Sequence, residues 1–460
     1  DRVVITEPLE GTPAQEAGLK AGDVILSVGG KDMVRGDMEK NELTDHVSQE
    51  LRGEPGTSFL LKVERPGKDK PQVLEFKITR RSIRQNPIPY YGMVADSVGY
   101  LALTEFTENC AKDFKKAFIE LKQKGASSLV IDLRGNGGGS LSEAVDIVNL
   151  FVPKGKEIVT LKGKVKQSEE GYKTESEPVD TEIPLVVLVD GSTASAAEIV
   201  SGSLQDLDRA VIVGKRTFGK GLVQVPRPLP YNGSLKVTTA KYYIPSGRCI
   251  QAIDYAKRNA DGSVARTPDS LTHVFHTAAG REVRDGGGIR PDIEVKGEKY
   301  PNILFYLMNE DVIFDYGTQY VLNHPQLASV ADFKLTDKDY EDFKALVKEK
   351  KFTYDRQSEK VLKNLKEVAE FEGYMDDAKA EFEALEKKLT HNLDRDLDHF
   401  KKPIQEMIAQ EIIKRYFYQK GACMERLKDD ADLKKALETL ADQTKYAGIL
   451  TVPETAVAKK

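Results

Sequence analysis

The sequence predicts an α/β core flanked by two unlike regions, a small β-rich domain before it and a charged, mostly α-helical region after it. Three observations predict this. Up to about Ser82, apolar and polar residues alternate between glycine and proline turns. Over about 83–300, short near-continuous apolar runs alternate with segments whose apolar residues recur every three or four positions, the layering of a buried parallel sheet covered by helices. From about 301 onward, charge dominates and helical spacing persists. A chain of 460 residues exceeds one ordinary core, and it divides here as 1–82, 83–300 and 301–460.

In the first region Val3-Val4-Ile5 reads as a strand, Pro13 suits the first turn of a short helix and Gly18 its left-handed stop. Val24–Val28 is a strand turned by Gly29-Gly30, and Phe59–Val63 and Val73–Ile78 alternate around Pro66-Gly67. In the second region the expected strands are Val98–Leu103, Ser128–Leu133, Pro184–Asp190 and Ala210–Val213. Helical faces run through Cys110, Phe114, Ala117, Phe118 and Leu121, through Leu141–Phe151, and through Ile199, Val200, Ser203, Leu204 and Leu207. Lys162–Thr181 is polar and aperiodic and reads as an exposed loop or extension. In the third region Ala378, Phe382, Leu385, Leu389, Leu393, Leu397 and Phe400 follow helical spacing, and Pro403 is expected to kink or restart the helix.

Composition narrows the function. A net charge of −5 gives no electrostatic reason to expect nucleic acid or an anionic membrane as partner. No apolar run reaches the roughly 18–20 residues of a membrane span. The chain opens at Asp1 inside a strand, as a trimmed or processed chain would. Cys110, Cys249 and Cys423 are too far apart for a metal or redox pair and read as buried free thiols. His273 and His276 form H-x-x-H without a carboxylate in register, so no metal is expected there.

Three motifs carry chemistry. GKRTFGKG, residues 214–221, nearly matches a phosphate loop, but Gly221 stands where Ser or Thr must hold Mg²⁺ and the proline-rich continuation is extended rather than helical. That leaves Lys220 among Phe218, Gly219, Gly221, Leu222 and Val223 with no local carboxylate. Packed inside, its amine would lose water and become a general base. GSTASAAE, residues 191–198, follows the strand at 186–189, and its small residues crowd the start of a helix near Ala196. Ser195 then lies where unpaired N–H groups favour a nucleophile and its oxyanion. DLRGNGGG, residues 132–139, follows another buried strand, and its glycines let backbone amides approach a ligand. No histidine lies between Val47 and Leu271, so a Ser–Lys pair fits where a histidine triad does not.

The runs LVIDLRGNGGGSLSEAV, VVLVDGSTASAAEIVSGSLQD, RAVIVGKRTFGKGLVQ and GGGIRPDIEV resemble the carboxyl-terminal processing proteases, also called tail-specific proteases, which are serine peptidases with a Ser–Lys dyad. They fall in the family's order across most of residues 98–295, and GTPAQEAGLKAGDVILSVGG resembles the PDZ domain that precedes the family's core. The resemblance implies an α/β protease core with Ser195 as nucleophile, Lys220 as general base and Gln224 orienting that lysine. It implies an oxyanion hole from the amides of Ala196 and Gly139. It also implies no metal or organic cofactor, protein or peptide substrates held by nonpolar C-terminal tails, and a periplasmic or envelope location, with a homo-oligomer or an adaptor as further partners. The PDZ loop that binds a terminal carboxylate would precede Asp1, so no residues are assigned to it. Residues 301–460 exceed a minimal member of the family.

Two other classes compete: a PDZ-bearing scaffold with a vestigial hydrolase core, which motif decay would favour and which the intact motifs do not, and an acyl-CoA enzyme of the crotonase type, which leaves Lys220 and Gln224 without a role.

Overall fold

In the computed structural model the chain divides into two compact units, residues 85–297 with 429–460, and residues 1–84 with 298–428. Residues 2–164, 169–258, 264–297, 300–390 and 392–452 are described.

The first unit holds a four-stranded sheet in the order β2-β1-β3-β4, made of β1 (Val24–Val28), β2 (Lys31–Asp32), β3 (Ser58–Arg65) and β4 (Gln72–Thr79). Helix α1 (Pro13–Glu16) opens on Pro13, and α2 (Lys40–Leu51) lays Leu43 and Val47 on the core of Ile25, Val28, Leu61 and Val63. The same unit contains a helical core drawn from α6 (Asn302–Asn309), α7 (Val312–Asn323), α8 (Asp337–Glu349) and α12 (Lys401–Arg426). The apolar series at 378–400 is divided between α10 (Lys379–Leu389) and α11 (Leu393–His399); α9 (Gln357–Phe371) precedes them. Pro403 lies in the first turn of α12, where a missing N–H costs nothing, so the helix restarts there.

The second unit is built on a sheet whose order is Ile293–Glu294, β11, β10, β7, β6, β5. Its strands are β5 (Tyr91–Ala95), β6 (Val98–Ala102), β7 (Ser128–Asp132), β10 (Leu185–Val189) and β11 (Val211–Gly214). β6, β7, β10 and β11 run parallel, with Val98 opposite Ser128, Leu188 opposite Asp132 and Val213 opposite Leu188. All residues of these four strands are buried, which is why they read as unbroken apolar runs. Helices α3 (Cys110–Gln123), α4 (Leu141–Asn149) and α5 (Ala196–Asp206) contribute to its core.

A second sheet has the order β12-β13-β8-β9, from β8 (Glu157–Gly163), β9 (Glu170–Lys173), β12 (Leu222–Pro228) and β13 (Ser234–Tyr243). This corrects the loop expected at 162–181: Glu170–Lys173 pairs antiparallel with β8. The strand is short and outward-facing, so it lacks the apolar alternation that would have announced it. Residues 165–168 of that stretch lie outside the described residues.

The last helices, α13 (Ala431–Ala441) and α14 (Gln443–Ile449), belong with the sheet and not with the helices that precede them, so a single boundary near 300 does not describe the packing. α13 lies against β7, β10 and β11. The hydroxyl of Tyr446 accepts from Leu185 N at 2.9 Å and donates to Leu185 O at 3.1 Å.

Candidate active site

Three neighbouring parallel strands end side by side, and each leads into one of the three motifs. β7 runs into Leu133–Gly139, β10 into Asp190–Ser195, and β11 into Lys215–Gly221. In an open parallel sheet the carboxyl ends of the strands are where ligands bind.

The first two loops are tied together by polar contacts. The Asp190 carboxylate accepts from Gly135 N at 3.1 Å and from Ser192 N and Thr193 N at 2.9 and 3.0 Å. Thr193 Oγ1 donates to Leu133 O at 2.9 Å, and Ala194 N donates to Asn136 O at 2.9 Å. Asn136, fully buried, donates through Nδ2 to Leu103 O and accepts from Gly138 N, both at 2.8 Å. The glycine run therefore lies directly on the serine. A Cβ on Gly138 would stand 2.6 Å from Ser195 Cβ, and one on Gly139 would stand 2.4 Å from Phe106 O; their φ angles of 104° and 139° exclude other residues as well. Ser195 itself has φ 58° and ψ −120° at the N-cap of α5, a strained backbone for a residue with a side chain.

Glu198 joins this assembly to the lysine loop. It is fully buried in the first turn of α5 and accepts four hydrogen bonds. Oε1 accepts from Thr217 Oγ1 at 2.5 Å and Gly219 N at 2.7 Å. Oε2 accepts from Ser195 N at 2.9 Å and Lys220 N at 2.8 Å. The backbones of Ser195 and Lys220 are thus held on one oxygen atom. Burial pushes the Glu198 carboxyl up from the usual range, while the bonds from Thr217 and from the Lys220, Gly219 and Ser195 amides work the other way.

The Lys220 side chain is exposed, so the expectation of a desolvated amine is not met in this conformation. The cause is local. Gly219 and Gly221 both turn inward: a Cβ on Gly219 would lie 2.3 Å from Ala252 Cβ, and one on Gly221 would lie 2.8 Å from Gln251 N. With the loop packed closely at both neighbouring glycines, the lysine side chain is left facing out. Gln224 is also exposed, on β12, where its Nε2 lies 3.5 Å from Thr238 Oγ1 across the ladder and not on Lys220. Among the described residues, the amides of Gly139 and Ala196 donate to no other group. Beside the glycine run is a depression of about 380 Å³ lined by Gln85, Thr104, Glu105, Gly137, Gly138 and Gly139.

Residues 97–257 match the model of peptidase family S41, residues 4–65 a PDZ domain, and residues 303–440 the C-terminal helical domain of PDZ-proteases. A carboxy-terminal-processing protease of Bartonella bacilliformis is 39% identical over 255 residues, 55% of this chain and 56% of that protein. A carboxyl-terminal-processing protease of Synechocystis sp. is 36% identical over 256 residues, 55% of this chain and 57% of that one. Residues 97–257 are thus a peptidase family S41 domain. The chain spans little more than half the length of these curated relatives. Among solved structures, the photosystem II D1 C-terminal processing protease is 28% identical, with a TM-score of 0.36 over 65% of this chain and 70% of that one.

Within this S41 core, sequence reasoning missed two residues. Glu198 lies in the quoted run GSTASAAE, and its spacing from Ser195 is the S-x-x-E of a capping box, the signal that could have found it. Tyr242 on β13 is 3% exposed, and its hydroxyl is buried beside the Ser195 side chain without completing hydrogen-bond geometry. Nothing local in the sequence marks it. The histidines of H-x-x-H lie at the Val274–His276 strand, where His273 Nδ1 pairs with Asp285 at 3.1 Å. Cys110 and Cys423 are buried and in no disulfide, as expected, while Cys249 is only half-buried.

Proposed function

We propose that this S41 core is a serine endopeptidase that uses Ser195 and Lys220 as a catalytic dyad and acts on protein substrates recognised by nonpolar C-terminal tails. The observation that carries the reading is the Glu198 carboxylate, which holds the Ser195 and Lys220 amides on one oxygen. A buried carboxylate spent on backbone amides of two separate motifs fixes their relative position, which a nucleophile and its base require.

Ser195 Oγ attacks the scissile carbonyl, and the neutral Lys220 amine takes the hydroxyl proton. The tetrahedral oxyanion is received by the amides of Ala196 and Gly139. The lysine then returns the proton to the leaving amine, and water, deprotonated by the same amine, hydrolyses the acyl-enzyme. With Lys220 exposed at rest, the cycle includes a swing of the Lys220 side chain, on a backbone held by Glu198, that brings the amine out of water and onto Ser195. Gln224 then orients it from β12. The PDZ domain supports substrate capture by the tail. A location outside the cytoplasm rests on the family alone; among the described residues no helix is long and apolar enough to cross a membrane.

The test is cleavage of a protein bearing a nonpolar C-terminal tail, followed by gel and mass spectrometry. Cleavage by the wild type, lost in Ser195→Ala and in Lys220→Ala, is expected. A protein that binds the tail and never cuts it would instead be a scaffold with a vestigial core.

A further inference from the structure

The guanidinium of Arg134 spends all five of its N–H donors on three carboxylates. Nε and one terminal nitrogen donate to Asp132 at 3.0 and 2.7 Å. The two terminal nitrogens fork onto Asp430 at 2.9 and 2.6 Å, and the last N–H reaches Asp432 Oδ2 at 3.0 Å. The side chains are nearly sealed, with Arg134 at 14% exposure and Asp430 at 5%. Asp132 is local, at the end of β7, but Asp430 and Asp432 come from 296 and 298 residues downstream, at the start of α13. Asp430 also caps that helix by accepting from Leu433 N at 3.0 Å.

The place of this cluster is what gives it meaning. One residue beyond Arg134 begins the glycine run that ends at Gly139 and at Ser140, the N-cap of α4. Glycines supply almost no preference of their own for one backbone path, so the path is set by what grips it: Asn136 and the Gly135 and Gly138 amides along the run, and Arg134 and Ser140 at its ends. Oxyanion donors act only when about 2.7–3.1 Å from the developing charge. A misplacement of about 1 Å costs on the order of a hundredfold. A planar guanidinium forked onto carboxylates on two sides fixes orientation as well as position.

We infer that Asp430 and Asp432 are positioning residues of the S41 reaction: through Arg134 they fix where the glycine run presents its amide to the substrate carbonyl oxygen. The inference rests on the reading of Gly139 and Ala196 as oxyanion donors. It makes the returning C-terminal segment part of the active-site apparatus, although it touches no substrate.

Asp430→Asn keeps a good N-cap oxygen, so combining it with Asp432→Asn removes the charges while α13 stays capped. The expected result is a kcat at least about tenfold lower with KM within about twofold, as for loss of an interaction made only in the transition state. A peptide aldehyde, whose hemiacetal oxygen occupies the oxyanion hole, should weaken by a similar factor. Adding Arg134→Lys to the pair should cause little further loss, because the three residues act as one unit. Should the double variant fail to fold, Asp432→Asn alone leaves the cap and the fork intact and is expected to show a smaller loss in the same two measurements. Wild-type kcat and aldehyde affinity in a folded variant, or a loss confined to KM, overturns the inference. Fluorophosphonate labelling of the wild type separates the two levels. A labelled Ser195 with unaffected variants defeats this inference alone, whereas an unlabelled Ser195 defeats the reading beneath it.

Discussion

Ser195 and Lys220 donate their backbone amides to the same oxygen of Glu198, at 2.9 and 2.8 Å. The nucleophile loop after β10 and the lysine loop after β11 are therefore registered by the carboxylate of a third residue.

Replacing Glu198 should cost both stability and turnover. Glu198→Ala leaves the amides of Ser195, Gly219 and Lys220 without an acceptor, at about 1–3 kcal/mol for each that stays buried. Glu198→Gln keeps the volume but sets an NH2 group against N–H donors. Urea unfolding should order the proteins as wild type, then Gln, then Ala, with peptide hydrolysis falling in the same order. An alanine variant as stable as the wild type would show that the carboxylate is not a clamp.

The pH dependence of that clamp has a definite sign. The folded-state pKa of Glu198 is raised, mainly by burial. The group's contribution to stability is then complete below the unfolded value of about 4.3 and is lost as pH rises through the folded value. Across that window the stability difference between wild type and Glu198→Gln should shift against the wild type as pH rises, and it should be level on either side. Denaturant unfolding of both proteins over a pH series reads this directly; an opposite slope would mean that the four hydrogen bonds outweigh burial.

Gly138 should tolerate no side chain. Its φ of 104° and the 2.6 Å approach of an added Cβ to Ser195 Cβ mean that Gly138→Ala displaces the serine or the glycine run. A loss of at least about a hundredfold in kcat follows from misplacement at the reacting centre. Far-UV circular dichroism should be unchanged, because the sheet beneath is untouched.

Tyr242→Phe should leave stability within about 1 kcal/mol of the wild type or raise it, since the hydroxyl is buried without a completed bond. A larger loss in thermal unfolding would reveal a bond that this conformation does not show.

Much of the fold and part of the site can be read from the residues. Val130, Val187 and Ile212 belong to strands buried on both faces, so apolar continuity alone announces them. The glycine and alanine residues around Ser195 mark close packing, and the structure supplies what they pack against: Gly138 on the serine, Gly139 on Phe106. Other features depend on partners distant in sequence. The amphipathic pattern of α13 says that Leu433, Ala436 and Leu440 face a core, yet not that the core is the sheet some two to three hundred residues earlier. The outward turn of Lys220 depends on where Ala252 and Gln251 lie. The bridging role of Glu198 goes unmarked in the sequence because its four donors come from two loops, Ser195 after β10 and Thr217–Lys220 after β11.

The account stands or falls on whether Ser195 is a nucleophile activated by Lys220. The most direct measurement is covalent labelling by a fluorophosphonate, with the modified residue mapped by mass spectrometry and the rate followed in wild type and Lys220→Ala. The account predicts a single adduct on Ser195 that forms in the wild type and becomes slower by orders of magnitude without the lysine amine. An adduct on another residue, or equal labelling rates in the two proteins, would contradict it.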